Sequence, residues 1–307
     1  MENLQSRGHL LTEQINTESH NLDSLSSLEI VDLFNREDAK TIKAIAEARN
    51  ELAAAIEAGS TALNRGGKLY YVGAGTSGRL GVLDAAECPP TFCTPPELVQ
   101  GIIAGGAGAL IRSSESLEDR PEDGASAIAY HQIHNVDMVI GITAGGTTPY
   151  VHGALQAAKE RGATTIAISC VPQEQVAIDA DIDIRLLVGA EILAGSTRLK
   201  AGTVTKMALN IISTGIMVRL GKVYGNRMID VSVTNTKLRD RAIRIVCDLT
   251  DLDRQQADEL LQRSKQKVKL ALLMEWTGLN AEEGEQLLSQ CHGNLRLARQ
   301  NYSEPKS

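Results

Sequence analysis

Short apolar runs alternate with helical patterns through the middle of the chain. Runs that predict strands lie at 68–72, 98–104, 137–142, 164–169 and 182–187. Strands that are apolar on both faces belong to buried sheets, and alternation with helices is typical of parallel strand order. The pattern therefore predicts an α/β fold in which helices cover both faces of a parallel sheet.

The two ends of the chain have different patterns from the middle. Residues 1–27 are polar and predict an irregular arm, whereas the pattern after residue 235 is entirely helical, with breaks at Gly278 and Gly293. We therefore divide the chain into an N-terminal arm (1–27), an α/β domain (28–249) and a small helical C-terminal subdomain (250–307).

Two glycine-rich loops follow neighbouring strands. The first contains Gly75, Thr76 and Ser77, and the second runs from Thr143 to Thr148. Glycine backbone and a following helix N-terminus favour an anion. Because ligands of parallel sheets bind at the carboxyl ends of the strands, two such loops together suit a phosphorylated sugar. Each loop alone is also compatible with a plain strand-to-helix turn.

The first loop has the spacing of a dinucleotide-binding motif, GxGxxG. That interpretation requires an acidic residue at the end of the second strand, where the chain has Ala104 and two glycines. The loop also has hydroxyls where nucleotide loops more often have small apolar residues. Nucleotide binding is therefore the weaker interpretation.

Acidic residues stand near both loops. Asp84 and Glu87 share one face of the helix that follows the first loop, and the prolines after them predict its end. Glu115 and Glu118 lie in the connection after the second strand. Without further information, all four carboxylates are equally compatible with a solvated surface.

Composition narrows the class of protein. The net charge is −7, which argues against nucleic acid as a partner. Apolar runs are shorter than the ~18 residues that span a membrane. The first residues lack the pattern of a signal peptide, in which a charged segment precedes an apolar one. Five cysteines without a CxxC pair, together with these features, predict a cytoplasmic protein with reduced thiols. His131 and His134 lack a nearby third ligand, so no metal is predicted.

The segment 79–91 closely resembles the signature of the N-acetylmuramic acid 6-phosphate etherase family. The resemblance continues at 141–150, 188–191, 195–203 and 221–226. It implies a sugar isomerase (SIS) domain with a flavodoxin-like, three-layer fold, here spanning 28–249. It further implies a homodimer that needs no metal or cofactor. The C-terminal helices resemble a ubiquitin-associated (UBA) bundle.

The resemblance also implies a reaction in the amino sugar catabolism of peptidoglycan recycling, in which water and N-acetylmuramic acid 6-phosphate give N-acetylglucosamine 6-phosphate and D-lactate. In the open-chain sugar the C1 aldehyde acidifies the C2 proton, so a base and an acid can eliminate lactate and add water at C3. By motif position, Glu87 is the acid that protonates the lactyl oxygen and activates water. Glu118 handles the C2 proton, with Glu115 left as an alternative.

Residues of both loops are the expected phosphate contacts. They are Gly75, Thr76, Ser77, Gly146, Thr147 and Thr148. Arg79, Glu191 and Lys200 are further candidates for substrate binding. The family often has Ser-Gly-Arg-Thr in the second loop, where this chain reads Gly145-Gly146-Thr147-Thr148, and the loss of the serine and the arginine changes the donors and the charge of the loop.

Two other functions fit a phosphosugar domain. Glucokinase regulatory proteins resemble this family and use the sugar pocket to control a partner, but they are longer and have two SIS domains. An aldose–ketose isomerase would share the proton abstraction without needing an acid for a leaving group. Glu87 in its Cys-Pro-Pro setting favours the etherase over both alternatives.

Overall fold

A five-stranded parallel sheet lies at the centre of the first part of the chain. The computed structural model describes residues 7–112, 115–231, 233 and 236–302, so that 1–6 of the predicted arm and 303–307 of the predicted subdomain lie outside it. The strands are β1 (Leu69–Gly73), β2 (Val99–Ile103), β3 (Met138–Ile142), β4 (Thr164–Ser169) and β5 (Ile182–Arg185). Their order is β2-β1-β3-β4-β5.

The described helices follow the predicted alternation. They are α1 (Ser27–Asp38), α2 (Lys40–Glu47), α3 (Arg49–Asn64), α4 (Gly75–Phe92), α5 (Gly108–Ile111), α6 (Pro121–Tyr130), α7 (Pro149–Glu160), α8 (Lys200–Arg219), α9 (Thr236–Leu249), α10 (Arg254–Arg263), α11 (Val268–Thr277), α12 (Ala281–Gln290) and α13 (Leu295–Asn301). Short 3-10 turns lie at Leu11–Glu13, Thr17–Ser19, Leu22–Ser24 and Glu115–Leu117.

Helices cover both faces of the sheet. Successive side chains of a strand point to opposite faces. A Cβ atom at Gly81 of α4 would lie 2.7 Å from Tyr71, whereas one at Gly141 of β3 would lie 2.8 Å from Leu155 of α7. Gly141 pairs with Val72, the neighbour of Tyr71, so α4 and α7 pack on opposite faces. The predicted three-layer, flavodoxin-like architecture is confirmed, because its strand order is 2-1-3-4-5.

The chain forms two compact units. The first comprises Met1–Ala86 and Pro96–Ser213, and the second comprises Glu87–Pro95 and Thr214–Ser307. Helices α4 and α8 each contribute residues to both units. The domain boundaries at residues 27 and 249 stay predictions.

The second unit is mainly helical, as predicted for this end of the chain. Side chains of Asp253 and Asn280 accept N–H groups at the starts of α10 and α12, and Gly278 ends α11 in the left-handed region at φ 72°. A small antiparallel hairpin precedes these helices, with strands β6 (Val223–Tyr224) and β7 (Arg227–Met228). The likeness to a UBA bundle stays a prediction.

Helix α4 differs from the sequence expectation at its end. Pro89 and Pro90 lie inside the helix, which continues to Phe92. Proline removes a backbone donor but leaves its own carbonyl free to accept. The N–H of Cys93 donates to the carbonyl of Pro89 at 2.9 Å, so the helical pattern resumes after the two prolines. Glu87 is consequently an internal residue of α4.

Helix α8 is long and apolar enough to cross a membrane by length and composition. Within the described residues it is the one helix that passes this test, and 56% of its most apolar window is buried inside the protein. A buried core helix has the same composition, and α8 packs in this way, with Val204, Ala208 and Ile212 fully buried.

Candidate functional site

A cavity of about 250 Å³ opens where β1 and β3 end, within the first unit. These strands are neighbours, and the chain leaves them in opposite directions along the sheet, to β2 on one side and to β4 on the other. Such a switch point is where open parallel sheets form a crevice. The two glycine-rich loops predicted as a ligand site both line this cavity.

The loop after β1 presents backbone donors to the cavity. Gly75 begins α4 with φ 52°, in the left-handed region that favours glycine. A Cβ atom at Gly73 would come within 2.7 Å of the nitrogen of Gly78, so the turn is too tight for a larger residue. Thr76 and Ser77 lie in the first turn of α4 and line the cavity. The first N–H groups of a helix lack intrahelical partners and attract anions.

The loop after β3 is held by its own threonines. The hydroxyls of Thr143 and Thr148 lie 2.9 Å apart, and the N–H of Gly146 donates to the carbonyl of Thr143 at 3.0 Å. Gly146 has φ 74°, and its carbonyl lies 2.7 Å from Nε2 of His152. Thr147 and Thr148 line the cavity together with Gly145. The geometry places hydroxyls from both loops around one space.

The start of α8 forms a further wall, with Thr197, Gly202 and Thr205 lining the cavity. Glu191 holds this helix start, because its carboxylate accepts the N–H groups of Lys200 at 3.0 Å and Ala201 at 2.9 Å. Burial raises the pKa of Glu191, although the two N–H donors act to lower it. Glu191 therefore acts as a carboxylate cap on α8.

Lys200 is fully buried and forms an ion pair. Its Nζ donates to Glu37 Oε2 at 2.6 Å, and the same carboxylate accepts from Lys40 at 2.6 Å and Asn16 at 2.8 Å. Burial acts to raise the pKa of Glu37, but these three donors together lower it to about 2. The network joins α1, the start of α8 and the N-terminal arm.

Residues 7–13 of the N-terminal arm form a wall of the cavity, which the sequence pattern did not indicate. Arg7, Leu10 and Glu13 line the space. The arm is attached through the N–H of Leu11, which donates to Gln175 at 2.9 Å, and through Asn16. The family resemblance also includes Thr12-Glu13 and Asn16, but a sequence match of this kind does not indicate where the arm lies in the fold.

Of the predicted glutamates, Glu118 lines the cavity and is half-buried. Its backbone carbonyl accepts the N–H of Tyr150 at 3.0 Å, which fixes this connection against the start of α7. Glu115 begins a 3-10 turn, and its side chain lies outside the described residues.

Asp84 and Glu87 differ although they share a helix face. Asp84 is buried, and its carboxylate accepts from Tyr71 at 2.9 Å and from Lys206 at 2.9 Å. Glu87 is exposed and belongs to the segment Glu87–Pro95 of the second unit. Asp84 therefore has a structural role, and Glu87 is available to solvent.

Arg79 is half-buried on α4, where its Nε donates to the carbonyl of Leu110 at 3.2 Å. This contact ties α4 to the end of α5. Among the described residues, no group of three or more His, Cys, Asp or Glu side chains is arranged to hold a metal ion.

The chemistry of the cavity is defined by hydroxyls, helix N-termini and two carboxyl groups. Hydroxyl lining comes from Thr76, Ser77, Thr147, Thr148, Thr197 and Thr205. Arg7 supplies a cation, and Glu13 and Glu118 supply carboxyl groups. This arrangement can bind a phosphate through neutral donors while a carboxyl group exchanges a proton with an attached polyol.

Comparisons with known proteins identify the class first. Residues 123–212 match the SIS domain family, and residues 51–159 match the glucokinase regulatory protein N-terminal SIS domain. Residues 225–284 match the C-terminal lid domain of glucokinase regulatory protein. The chain is a SIS-domain protein.

Relatives over the full length define the family within this class. An N-acetylmuramic acid 6-phosphate etherase from Rippkaea orientalis is 73% identical over 302 residues, covering 98% of this chain and 99% of that protein. One from Gloeothece citriformis is 74% identical over 298 residues, covering 97% of each. The chain belongs to the N-acetylmuramic acid 6-phosphate etherase family. A phosphoheptose isomerase structure from Francisella tularensis has a TM-score of 0.46 and 19% identity, covering 64% of this chain and 98% of that one.

Proposed function

We propose that this chain cleaves the D-lactyl ether of N-acetylmuramic acid 6-phosphate, giving N-acetylglucosamine 6-phosphate and D-lactate. The observation that carries the proposal is the identity of about three residues in four to etherases along nearly the whole chain. The cavity between the two loops is consistent with it, because its hydroxyls and its glutamates suit a phosphorylated sugar.

The phosphate is proposed to lie at the start of α4. Thr76 and Ser77 offer hydroxyls there, and the first N–H groups of the helix, including that of Gly75, offer the positive end of its dipole. Thr147 and Thr148 face the same cavity from the loop after β3. Gly146 contributes the backbone turn that presents them. This set supplies neutral donors in place of the cation found in the common loop of the family.

The proposed chemistry is an elimination followed by hydration. Glu118 removes the C2 proton of the open-chain aldehyde, and the C3–O bond to lactate breaks as Glu87 donates a proton to the departing oxygen. Glu87 then takes a proton from water as the water oxygen bonds to C3, and Glu118 returns the proton to C2. Both residues end in their starting protonation states, so the cycle needs no cofactor.

Glu191 and Lys200 are proposed to position the site. Glu191 caps α8, and Lys200 forms a buried pair with Glu37, so both hold the wall that carries Thr197 and Thr205. Arg79 is assigned the same kind of role through its contact with α5. The proposal classifies the enzyme as a carbon–oxygen lyase of the cytoplasm that works as a homodimer, with a phosphorylated amino sugar as its small-molecule ligand.

The experiment is turnover of N-acetylmuramic acid 6-phosphate in water labelled with heavy oxygen. The proposal expects D-lactate release and one labelled oxygen at C3 of the product sugar. Glu87→Gln and Glu118→Gln should each lose turnover, while Glu97→Gln, a matched change at an exposed loop position, should retain it.

A second outcome would favour a different function. Residues 51–159 match the N-terminal SIS domain of glucokinase regulatory protein, so a non-catalytic phosphosugar sensor is the alternative. If the substrate raises the melting temperature but no lactate forms, the sensor is supported and the etherase is contradicted. Labelled oxygen at C1 alone, without release of D-lactate, would also contradict the proposed elimination.

A further inference from the structure

The second unit contains a larger cavity than the first, with a volume of about 670 Å³. One wall follows the hairpin and contains Ile229 and Asp230, and another is the start of α11 with Lys269 and Leu270. Leu288 of α12 contributes to the apolar surface. The proposed reaction does not use this space.

An unbalanced ion cluster lies in its wall. Asp230 Oδ2 accepts from Lys269 Nζ at 2.9 Å and lies 3.1 Å from Lys222 Nζ. The exposed fraction of the side chain is only 11% for Lys269, 19% for Asp230 and 24% for Lys222. Two ammonium groups share one carboxylate, so one positive charge is left without a counter-ion among them.

Removing a charge from water is unfavourable unless a partner compensates it. Burial is the largest cause of the lowered pKa of Lys269, and the neighbouring ammonium of Lys222 lowers it further, while Asp230 acts in the opposite direction. Glu37 also accepts from two lysines, but one of them, Lys40, is 50% exposed and keeps its water, whereas both lysines at Asp230 are at most 24% exposed. The surplus charge therefore needs an explanation.

A second cluster at the more exposed side of the cavity also has two lysines and one carboxylate. Glu285 Oε1 lies 2.7 Å from Lys267 Nζ and 3.8 Å from Lys265 Nζ. The described residues that line the cavity thus include four lysines and two carboxylates. The remaining lining is largely aliphatic, including Val231, Val268 and Leu288. Positive charge surrounded by apolar walls suits an anion that carries an apolar body.

We propose that this cavity is a second binding site, which takes a small organic anion whose oxyanion bridges Lys222 and Lys269 and whose short apolar body contacts Ile229 and Leu270. A phosphate monoester and a carboxylate share this chemistry. The site lies wholly within the second unit and is independent of the proposed etherase reaction.

The test uses the full chain and three probes that share a benzene ring and differ in their polar group. Phenyl phosphate and benzoate carry the two oxyanions, and benzyl alcohol is the neutral control. Titrations would measure the dissociation constant by calorimetry and the rise in melting temperature. We expect saturable binding of at least one anion and none of benzyl alcohol. Equal binding of all three probes would overturn the proposal.

Two substitutions should move the affinity in opposite directions. Lys269→Met leaves Lys222 and Asp230 as a balanced pair, so the protein should stay folded and bind the anionic probe at least about tenfold more weakly. Asp230→Asn removes the competing carboxylate, so the anion should bind more tightly and raise the melting temperature further. An unchanged dissociation constant in Lys269→Met, or weaker binding in folded Asp230→Asn, would contradict the site.

Two control variants and one further substitution at the cluster complete the test. Lys43→Met, at an exposed lysine of α2, controls for loss of net charge and should bind as wild type does. Ser77→Ala alters the loop of the first cavity and should leave probe binding in the second cavity unchanged. If Ser77→Ala removes binding and Lys269→Met does not, the probe occupies the first cavity and the proposal is wrong. Lys222→Met gives an independent check, because it also leaves a balanced pair.

Discussion

The two cavities offer an anion different kinds of partner. The first is lined by hydroxyls and by the amino ends of helices, and no lysine is among the described residues that line it. The second is lined by lysines that outnumber the carboxylates beside them. A site of neutral donors fixes geometry without strong long-range attraction, whereas clustered ammonium groups attract charge with little directional control.

This contrast matches what each site is proposed to do. Proton transfer at C2 and C3 needs a sugar held within hydrogen-bond reach of a carboxyl group. A nearby free ammonium would stabilise the ionised carboxylate and hinder its protonation. Among the described residues of the first cavity, Arg7 is the lining cation, at the exposed arm. No proton transfer is proposed in the second cavity, so surplus positive charge there hinders no step of the proposed reaction.

The largest expected effect is on catalysis at Glu118. We expect Glu118→Gln to lower kcat by about 10²–10⁴-fold, because the amide cannot take a proton from C2. The variant keeps the backbone contact with Tyr150, and its melting temperature is measured alongside to check that it is folded. Exchange of the C2 proton with solvent, followed by NMR, separates this step from lactate release. A variant that still exchanges C2 at the wild-type rate would assign the base to another residue.

The next effect concerns the buried ion pair between Lys200 and Glu37 in the first unit. Glu37→Gln leaves Lys200 fully buried without its carboxylate, and loss of one partner of a buried pair costs about 3–5 kcal/mol. Urea unfolding measures the change. Glu47→Gln is the matched control, because its pair with Lys43 is exposed and such pairs contribute only about 0–1 kcal/mol. Equal losses in the two variants would contradict the role given to Lys200.

The sheet and both loops could be predicted from the sequence, because each is marked by a local pattern of residues. Continuous apolar runs mark buried strands, and Gly75 and Gly146 mark turns that need the left-handed region. The sequence did not predict that the arm forms a wall of the cavity, because Arg7 and Leu10 lie near the loops only in the folded chain. The role of Glu191 as a helix cap was not predicted either, because it depends on contacts formed by tertiary packing.

Acid should remove the stabilisation that Glu37 provides. The pKa of Glu37 is lowered to about 2 from the ordinary value of 4.5, so its contribution is present above 4.5 and is lost as pH falls towards 2. The difference in unfolding free energy between wild type and Glu37→Gln should therefore shrink across that window. Unfolding curves measured at several pH values give this difference. A constant difference would mean that the Glu37 carboxylate stays charged or that the loss has another cause.

The smallest expected effect compares the two cavities directly through ionic strength. Salt screens charge over a Debye length of about 10 Å at 0.1 M and about 3 Å at 1 M. Binding of phenyl phosphate near Lys222 and Lys269 should weaken severalfold over this range, with a smaller change in Lys269→Met. The KM for the sugar phosphate should change less, because hydroxyls and helix N–H groups act at contact distance. Equal salt dependence at the two sites would show that charge, rather than neutral donors, also governs the first cavity, and would point to Arg7 as its source.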